Sequence, residues 1–246
     1  MKTLGLLFLG LLTAKAVAAL PAPAGLVPPR VWRVVRALLY AADLLLVIAG
    51  AWTIGNDVAA ETHARVSMSD MRQGQAAKAY INAHRAVELR PATLRYWQSL
   101  SNAKFAIKQF PSTIADFKVL QSLSSGKLEE SDAYRLAASH YFLGKFDRVY
   151  PLTQEMIRAN RVYAAPYVLE GYAHLGDGDY AGAAKMFLVV LQMFPGHQGA
   201  VEGLAHSHYL DGNPAAALSV LDQTARFRFP PEARRRFQAL KALYAQ

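Results

Sequence analysis

The stretch that decides the fold is residues 164–197, AAPYVLEGYAHLGDGDYAGAAKMFLVVLQMFPGH, read against residues 198–231, QGAVEGLAHSHYLDGNPAAALSVLDQTARFRFPP. Laid one over the other they place Gly171 on Ala205, His174 on His208, Gly178 on Gly212, Ala183 on Ala217 and Phe187 on Leu221, each at an offset of 34 residues. Small residues at matched positions let two helices approach closely. A central Gly or Asp-Gly makes a turn, and proline ends the unit. A fixed period of this length is the mark of stacked helical hairpins, each burying only part of its apolar surface until a neighbour completes the core.

Working outward, residues 60–93 carry Gly74, Ala79, Ala83, Ala86 and Pro91 in the order of the second half of the unit. Residues 94–130 keep Trp97 and Leu100 but run three residues long and lose the central glycine. Residues 131–163, one residue short, retain Tyr134, Ala138, Tyr141, Gly144 and Phe146. Residues 232–245, with Phe237, Leu240 and Leu243 expected on one side, read as a terminal capping helix. No stretch alternates with period two between hairpin turns, so strands are not expected.

These residues resemble the tetratricopeptide repeat family, whose 34-residue unit has small, aromatic, glycine and proline positions in this order. The resemblance covers residues 60–246 and implies an all-α helical-hairpin solenoid of about five units plus a capping helix. It also implies a concave groove lined by positions 2, 5, 9, 12 and 13 of each unit. Carried onto this sequence, those positions hold Arg95, Gln98, Asn102 and Phe105, then Asp132, Arg135, Ser139 and Phe142, then Val168, Tyr172, Glu202, His206 and Tyr209. Arginine, amide and aromatic side chains are enriched at interaction hot spots. The partner-binding residues expected from the set are Arg95, Gln98, Asn102, Arg135, Phe142, Tyr172, Glu202, His206 and Tyr209. The mixture of charge favours a protein segment with apolar anchors over a uniformly acidic tail.

The N-terminal region, residues 1–57, has a different character. Hydrophobic residues make up 53% of the chain, and the excess is concentrated here: residues 3–28 contain one charge, Lys15, and residues 37–55 contain one, Asp43. The start reads either as a signal peptide, with Ala14-Lys15-Ala16 or Ala16-Val17-Ala18 as a cleavage site, or as an uncleaved span over residues 3–27. After the prolines at 21, 23, 28 and 29, residues 37–55, ALLYAADLLLVIAGAWTIG, read as a transmembrane helix with Trp32 and Trp52 near its ends. One or two membrane helices are thus expected before the repeats. Arg30, Arg33 and Arg36 precede this span while Asn56, Asp57 and Glu61 follow it, which puts the repeats outside the cytoplasm in a bacterial inner membrane. A cleaved first segment would reverse that orientation. Asp43 reads as an intramembrane contact or as a carboxylate that reaches water at the boundary.

Other chemistries lack their residues. With no cysteine there is no disulfide, thiolate metal site or cysteine nucleophile. His206 and His208 are two apart and diverge on a helix, so no metal site is expected. Ser101-Asn102-Ala103-Lys104 and Ser124-Ser125-Gly126-Lys127 fit the S-x-x-K pattern of penicillin-recognising serine enzymes without the companion motifs. Gly176-Asp177-Gly178-Asp179 lacks the lysine and spacing of a phosphate loop, and no cofactor is expected. The net charge of +9 sits beside the span and in a C-terminal arginine cluster, not along a recognition element, which disfavours nucleic acid. The sequence therefore reads as a membrane-tethered, non-enzymatic scaffold or assembly subunit of an envelope complex. The alternative is a repeat domain that binds glycan or regulates a synthase in polysaccharide or cell-wall biogenesis.

Overall fold

A computed structural model describes residues 28–245, so the apolar segment expected over residues 3–27, with its alternative cleavage sites, lies outside the described residues. Within them the chain is all-α, with eleven helices, one 3-10 turn and no strand. The helices are α1 (Pro29–Arg72), α2 (Ala76–Leu89), α3 (Leu94–Ala106), α4 (Phe110–Leu123), α5 (Glu130–Phe142), α6 (Phe146–Ala159), α7 (Ala164–Asp177), α8 (Tyr180–Met193), α9 (Gln198–Leu210), α10 (Pro214–Gln223) and α11 (Pro231–Tyr244).

Pro28 caps α1 and Pro29 opens it, where the fixed φ suits a first turn and the missing N–H removes no helix bond. The helix then runs 44 residues, about 66 Å at helical rise. It is long and apolar enough to cross a membrane by length and composition. Leu38, Leu44, Leu45, Leu46, Ile48 and Trp52 are exposed along it, whereas Asp43 is buried. From Ala60 the pattern inverts, with Ala60, Ala64 and Ser67 buried. The position near residue 57, where the apolar segment was expected to give way to repeats, falls inside α1. Gly55 alone is too weak a breaker to end a helix that has no proline there.

Five hairpins follow a single turn geometry. A left-handed residue after the first helix lets the next N–H reach back five residues along the chain, as in a helix C-cap of the Schellman type. The bond recurs as Gln75 to Asp70, Gln109 to Lys104, Lys145 to His140, Asp179 to His174 and Asn213 to His208, all at 2.8–3.0 Å. Gly74, Gly144, Gly178 and Gly212 supply the positive φ at four of them, and Lys108 (φ 62°) supplies it at the second. Positions 74, 108, 144, 178 and 212 step by 34, 36, 34 and 34 residues. The second unit therefore keeps its turn, and its excess is two residues, not three. Both lie in the connection after α4, where Ser125 and Gly126 also take positive φ. The third unit accordingly begins at Glu130, one residue earlier than its sequence pattern indicates.

The described chain divides into two compact units, one ending at Ala103 and one beginning at Lys104. The first packs Ala60 and Ala64 of α1 against Ala83, Ala86 and Val87 of α2, with Tyr96 and Leu100. Alanines at these crossings allow close helix approach, and Ser67 Oγ donates to the Ala79 carbonyl at 2.9 Å across the same contact. In the second unit, Ala137, Ala138, Val149, Met156, Leu169 and Ala173 form one core cluster. Phe187 anchors the next, with Ala183, Val190, Ala200 and Leu204. Helix α11 closes the array through Ala233, Phe237 and Tyr244, with Leu240 half-buried. Leu243, expected on that face, is instead exposed, because the buried stripe continues to Tyr244.

Candidate functional site: an aromatic strip on the second unit

The first helices of successive hairpins present a run of rings in the second unit. Phe142, at the end of α5, is 57% exposed although it stacks on Phe110 at 4.7 Å and 14°. Phe105 stands 6.1 Å from it and 5.6 Å from Phe110. Tyr141 meets Phe142 at 5.4 Å, Phe146 at 5.8 Å and, on the next hairpin, Tyr172 at 6.5 Å. Tyr172 sets its ring edge-on to Phe187 at 5.2 Å, and its hydroxyl donates to the Gly199 carbonyl at 3.2 Å. Burial, then the nearby Glu202 carboxylate and the Tyr141 and Tyr134 hydroxyls, push the Tyr172 phenol up to about 12. Glu202 accepts from Gln198 at 2.9 Å. Beyond it Tyr209 stacks on Tyr244 at 4.3 Å and 20°, and His206 Nδ1 lies 3.0 Å from the Tyr244 hydroxyl. Burial leads the rise in the Tyr244 phenol, with Tyr209 and Glu202 adding to it.

Of the residues expected to bind a partner, the structure thus links Phe142 and Tyr172 through Tyr141, and His206 and Tyr209 through Tyr244. Glu202 acts on both Tyr172 and Tyr244. Arg135 is withdrawn: it pairs with Asp132 at 3.0 Å, and both side chains are largely buried, as is Ser139. The one-residue shift of the third unit accounts for this, since Tyr134, 34 residues before Val168 and 68 before Glu202, takes the position assigned to Arg135. Arg95, Gln98 and Asn102 lie in the first unit. There Arg95 pairs with Glu61 and holds its guanidinium 5.0 Å over the Tyr96 ring, while Tyr96 donates to Glu61 at 3.2 Å. The bond from Arg65 leads the effects that hold Glu61 below the usual carboxylate range, with Tyr96 and Arg95 adding to it. Gln98 is half-buried and Asn102 exposed.

Tyr172 and Tyr209 are packing residues as well as surface ones, which corrects the simple division into groove and core positions. Tyr141, Tyr244 and Phe110 belong to the strip and were not assigned to the groove from sequence, where Tyr141 was read only as part of the repeat pattern. The register read from the left-handed turn residues is the signal that brings out Tyr141, which stands 68 residues before Tyr209.

The residues suspected of other chemistry have structural tasks. Ser101 is fully buried, and Lys104 pairs with Asp116 at 2.8 Å. Ser124–Lys127 is the connection after α4. In the Gly176–Asp179 turn, Gly178 takes the left-handed conformation and Asp179 caps α8 by accepting from Gly182 N. His174 lies 2.9 Å from Asp179 and 4.9 Å from the Tyr150 ring. Among the described residues no group of three His, Asp or Glu is arranged to hold a metal.

The tetratricopeptide repeat family model matches residues 174–244. No curated protein matches the chain in sequence. Among solved structures, residues 41 to the end of MamA from Desulfovibrio magneticus RS-1 align at 14% identity with a TM-score of 0.60, covering 68% of this chain and 93% of that one. TTC0263 of Thermus thermophilus, a thermophilic protein of the same repeat type, aligns at 15% identity and TM-score 0.58, covering 74% and 98%. YrrB, described as a repeat protein of this type with an unusual peptide-binding site, aligns at 17% and 0.53, covering 66% and 82%. Residues 174–244 are therefore tetratricopeptide repeats by sequence, and the helical hairpins of the described chain have the fold of the tetratricopeptide repeat family.

Proposed function

We propose that the chain is a membrane-tethered scaffold whose second unit binds a segment of a protein partner along its aromatic strip, within an envelope complex. The observation that carries this reading is Phe142. A large apolar ring is 57% exposed yet held in place by stacking on Phe110. Such a ring has little side-chain freedom left to lose on binding, and rigid aromatic anchors dominate interface energetics. Tyr141 and Tyr172 extend the anchor, and Glu202 and His206 supply polar contacts beside it. The peptide-binding site named for YrrB supports the same use of the fold.

The tether is α1, with its exposed apolar residues and the arginines at 30, 33 and 36 ahead of them. Arg90, the cation nearest the far end of the apolar stretch, pairs with Asp57 and donates to the Thr53 carbonyl at 2.6 Å. In sequence the arginine cluster adjoins the apolar stretch, whereas the first cation beyond it is Arg65, which supports an orientation with the repeats outside the cytoplasm. The test is purification of the intact protein from membranes in mild detergent, beside the Phe142→Ala variant. The wild type is expected to carry a partner that the variant loses, with unchanged helical content by circular dichroism. A partner retained by Phe142→Ala overturns the assignment of the strip. Glycan binding by the purified wild type, with no protein partner, transfers the strip to the glycan reading.

A further inference from the structure

Two clefts adjoin at the end of the second unit. One, of about 650 Å³, is lined by Arg228, Arg234 and Lys241 together with Phe229 and Phe237. The other, of about 370 Å³, lies between α8, α9 and α10 and is lined by Leu188, Leu191, Val201, Leu204 and Val220. Thr224 and Phe227 line both, so the Phe227 ring, 40% exposed, stands at their junction. The cationic cleft is not internally neutralised. Lys241 pairs with Asp222 at 2.6 Å, but among the described residues Arg228 and Arg234 make no ion pair. The apolar cleft has a buried floor, Val201 and Leu204, and an open wall, Leu188.

We propose that these joined clefts bind a single anionic glycerophospholipid, its phosphate head group between Arg228 and Arg234 and an acyl chain along Leu188 and Leu191. Guanidinium groups match phosphate oxygens in geometry as well as charge. Most of the apolar cleft's wall is helix, with only Pro195 and Phe227 outside it, so an extended peptide laid there finds few backbone partners for its own N–H and C=O groups. A helix is about 10–12 Å across with its side chains and is too wide for so small a cleft. An acyl chain needs no polar partner and fills the space.

The full-length protein, purified in a non-ionic detergent, is to be titrated by native mass spectrometry with four probes: dioctanoyl phosphatidylglycerol, dioctanoyl phosphatidylcholine, inorganic phosphate and a glutamate-rich decapeptide. Phosphatidylglycerol is expected to bind in preference to the other three. The double variant Arg228→Gln/Arg234→Gln and the single variant Leu188→Asp are each expected to weaken it about tenfold or more, the loss of one good charge-assisted or apolar contact set. Arg148→Gln on α6, far along the array and exposed, is the control and is expected to leave binding unchanged. All substituted side chains reach the surface, and circular dichroism checks that each variant is folded. Equal binding of phosphatidylcholine, or insensitivity to both cleft variants, overturns the proposal. Tight binding of phosphate that ignores Leu188→Asp also overturns it, leaving a simple anion site. Preferential binding of the decapeptide overturns it in favour of an acidic protein segment.

Discussion

The hairpin α7–α8 and the turn that opens α4 share one backbone geometry but are secured by opposite means. In α7–α8 the turn residue is Gly178, and Phe187 is buried with its ring against Gly171 of α7 and Gly203 of α9. In the turn before α4 the same position holds Lys108 at φ 62°, and Lys104 and Asp116 form a nearly buried ion pair at 2.8 Å. The apolar hairpin relies on volume, since two missing side chains make room for one ring. The other relies on a charge pair that is tolerated only while both partners are present. The turn itself is dictated by the hairpin, because a lysine adopts the left-handed conformation where four sister units use glycine. Glycine makes that conformation easy but does not create it.

The largest way to break this contrast is Gly203→Leu. A Cβ at Gly171 already falls 2.8 Å from the Phe187 ring, and one at Gly203 falls closer still. Overpacking at this fully buried ring is expected to cost about 3 kcal/mol or more. Thermal melting should place Gly203→Leu at least as low as Gly171→Leu. Gly199→Leu, whose Cβ meets its nearest neighbour at an ordinary 3.5 Å, should stay close to wild type. Similar melting points for all three would remove the volume argument.

Asp116→Ala tests the other side. It strands Lys104 in a nearly buried site and is expected to cost about 3 kcal/mol. The Lys104→Met/Asp116→Leu double variant should recover most of that loss in chemical denaturation, since an apolar pair carries no desolvation penalty. Failure to recover would mean that the pair orders more than its own two side chains.

Smaller effects come from the turns. Lys108→Gly is expected to stabilise by about 1 kcal/mol by relieving a left-handed β-carbon, and Gly178→Ala to destabilise by a similar amount. Opposite signs at equivalent positions are the check, read from urea midpoints.

Smallest at neutral pH is Tyr172→Phe, which loses the bond to the Gly199 carbonyl, about 0.5–1 kcal/mol. Its signature is alkaline. The folded phenol is raised to about 12 while the unfolded one ionises near its ordinary value of about 10. The unfolded state therefore releases its proton first, and stability present below about pH 10 is lost as pH rises toward about 12. Tyr172→Phe should flatten that part of the pH profile.

How far the site was legible follows from particular residues. Tyr172, His206, Tyr209 and Glu202 were reached by counting positions, because the units that hold them keep a recognisable repeat pattern, whereas Phe142, counted in the same shifted unit as Arg135, stands one position beyond the place that Tyr141 holds. Arg135 was misplaced by one because the extra residues of the second unit, hidden in a polar connection, shift the count. The ion pair with Asp132 then draws it inward. Asp116 and Glu170, both buried, carry no periodic signal, and Asp132, counted as a groove position, is buried as well. Glu170, for instance, is satisfied by Thr153 at 2.6 Å from a neighbouring hairpin, a match between residues whose meeting depends on stacking.

By itself the sequence determined the repeat, its 34-residue period, the left-handed glycine turns, the capping helix and the separate apolar character of residues 37–55. All of these are local, since they depend on side-chain size, backbone freedom and spacing within one hairpin. Tertiary structure alone decided that α1 runs unbroken from the apolar stretch into the first repeat, and that the second turn survives on a lysine. It also decided which rings meet: Tyr141 with Tyr172, Tyr209 with Tyr244, and Phe187 between two glycines. Apart from Phe187 with Gly171, which share one hairpin, those contacts join residues from different hairpins, and periodicity within a chain fixes the face a residue occupies but not the neighbour it meets there.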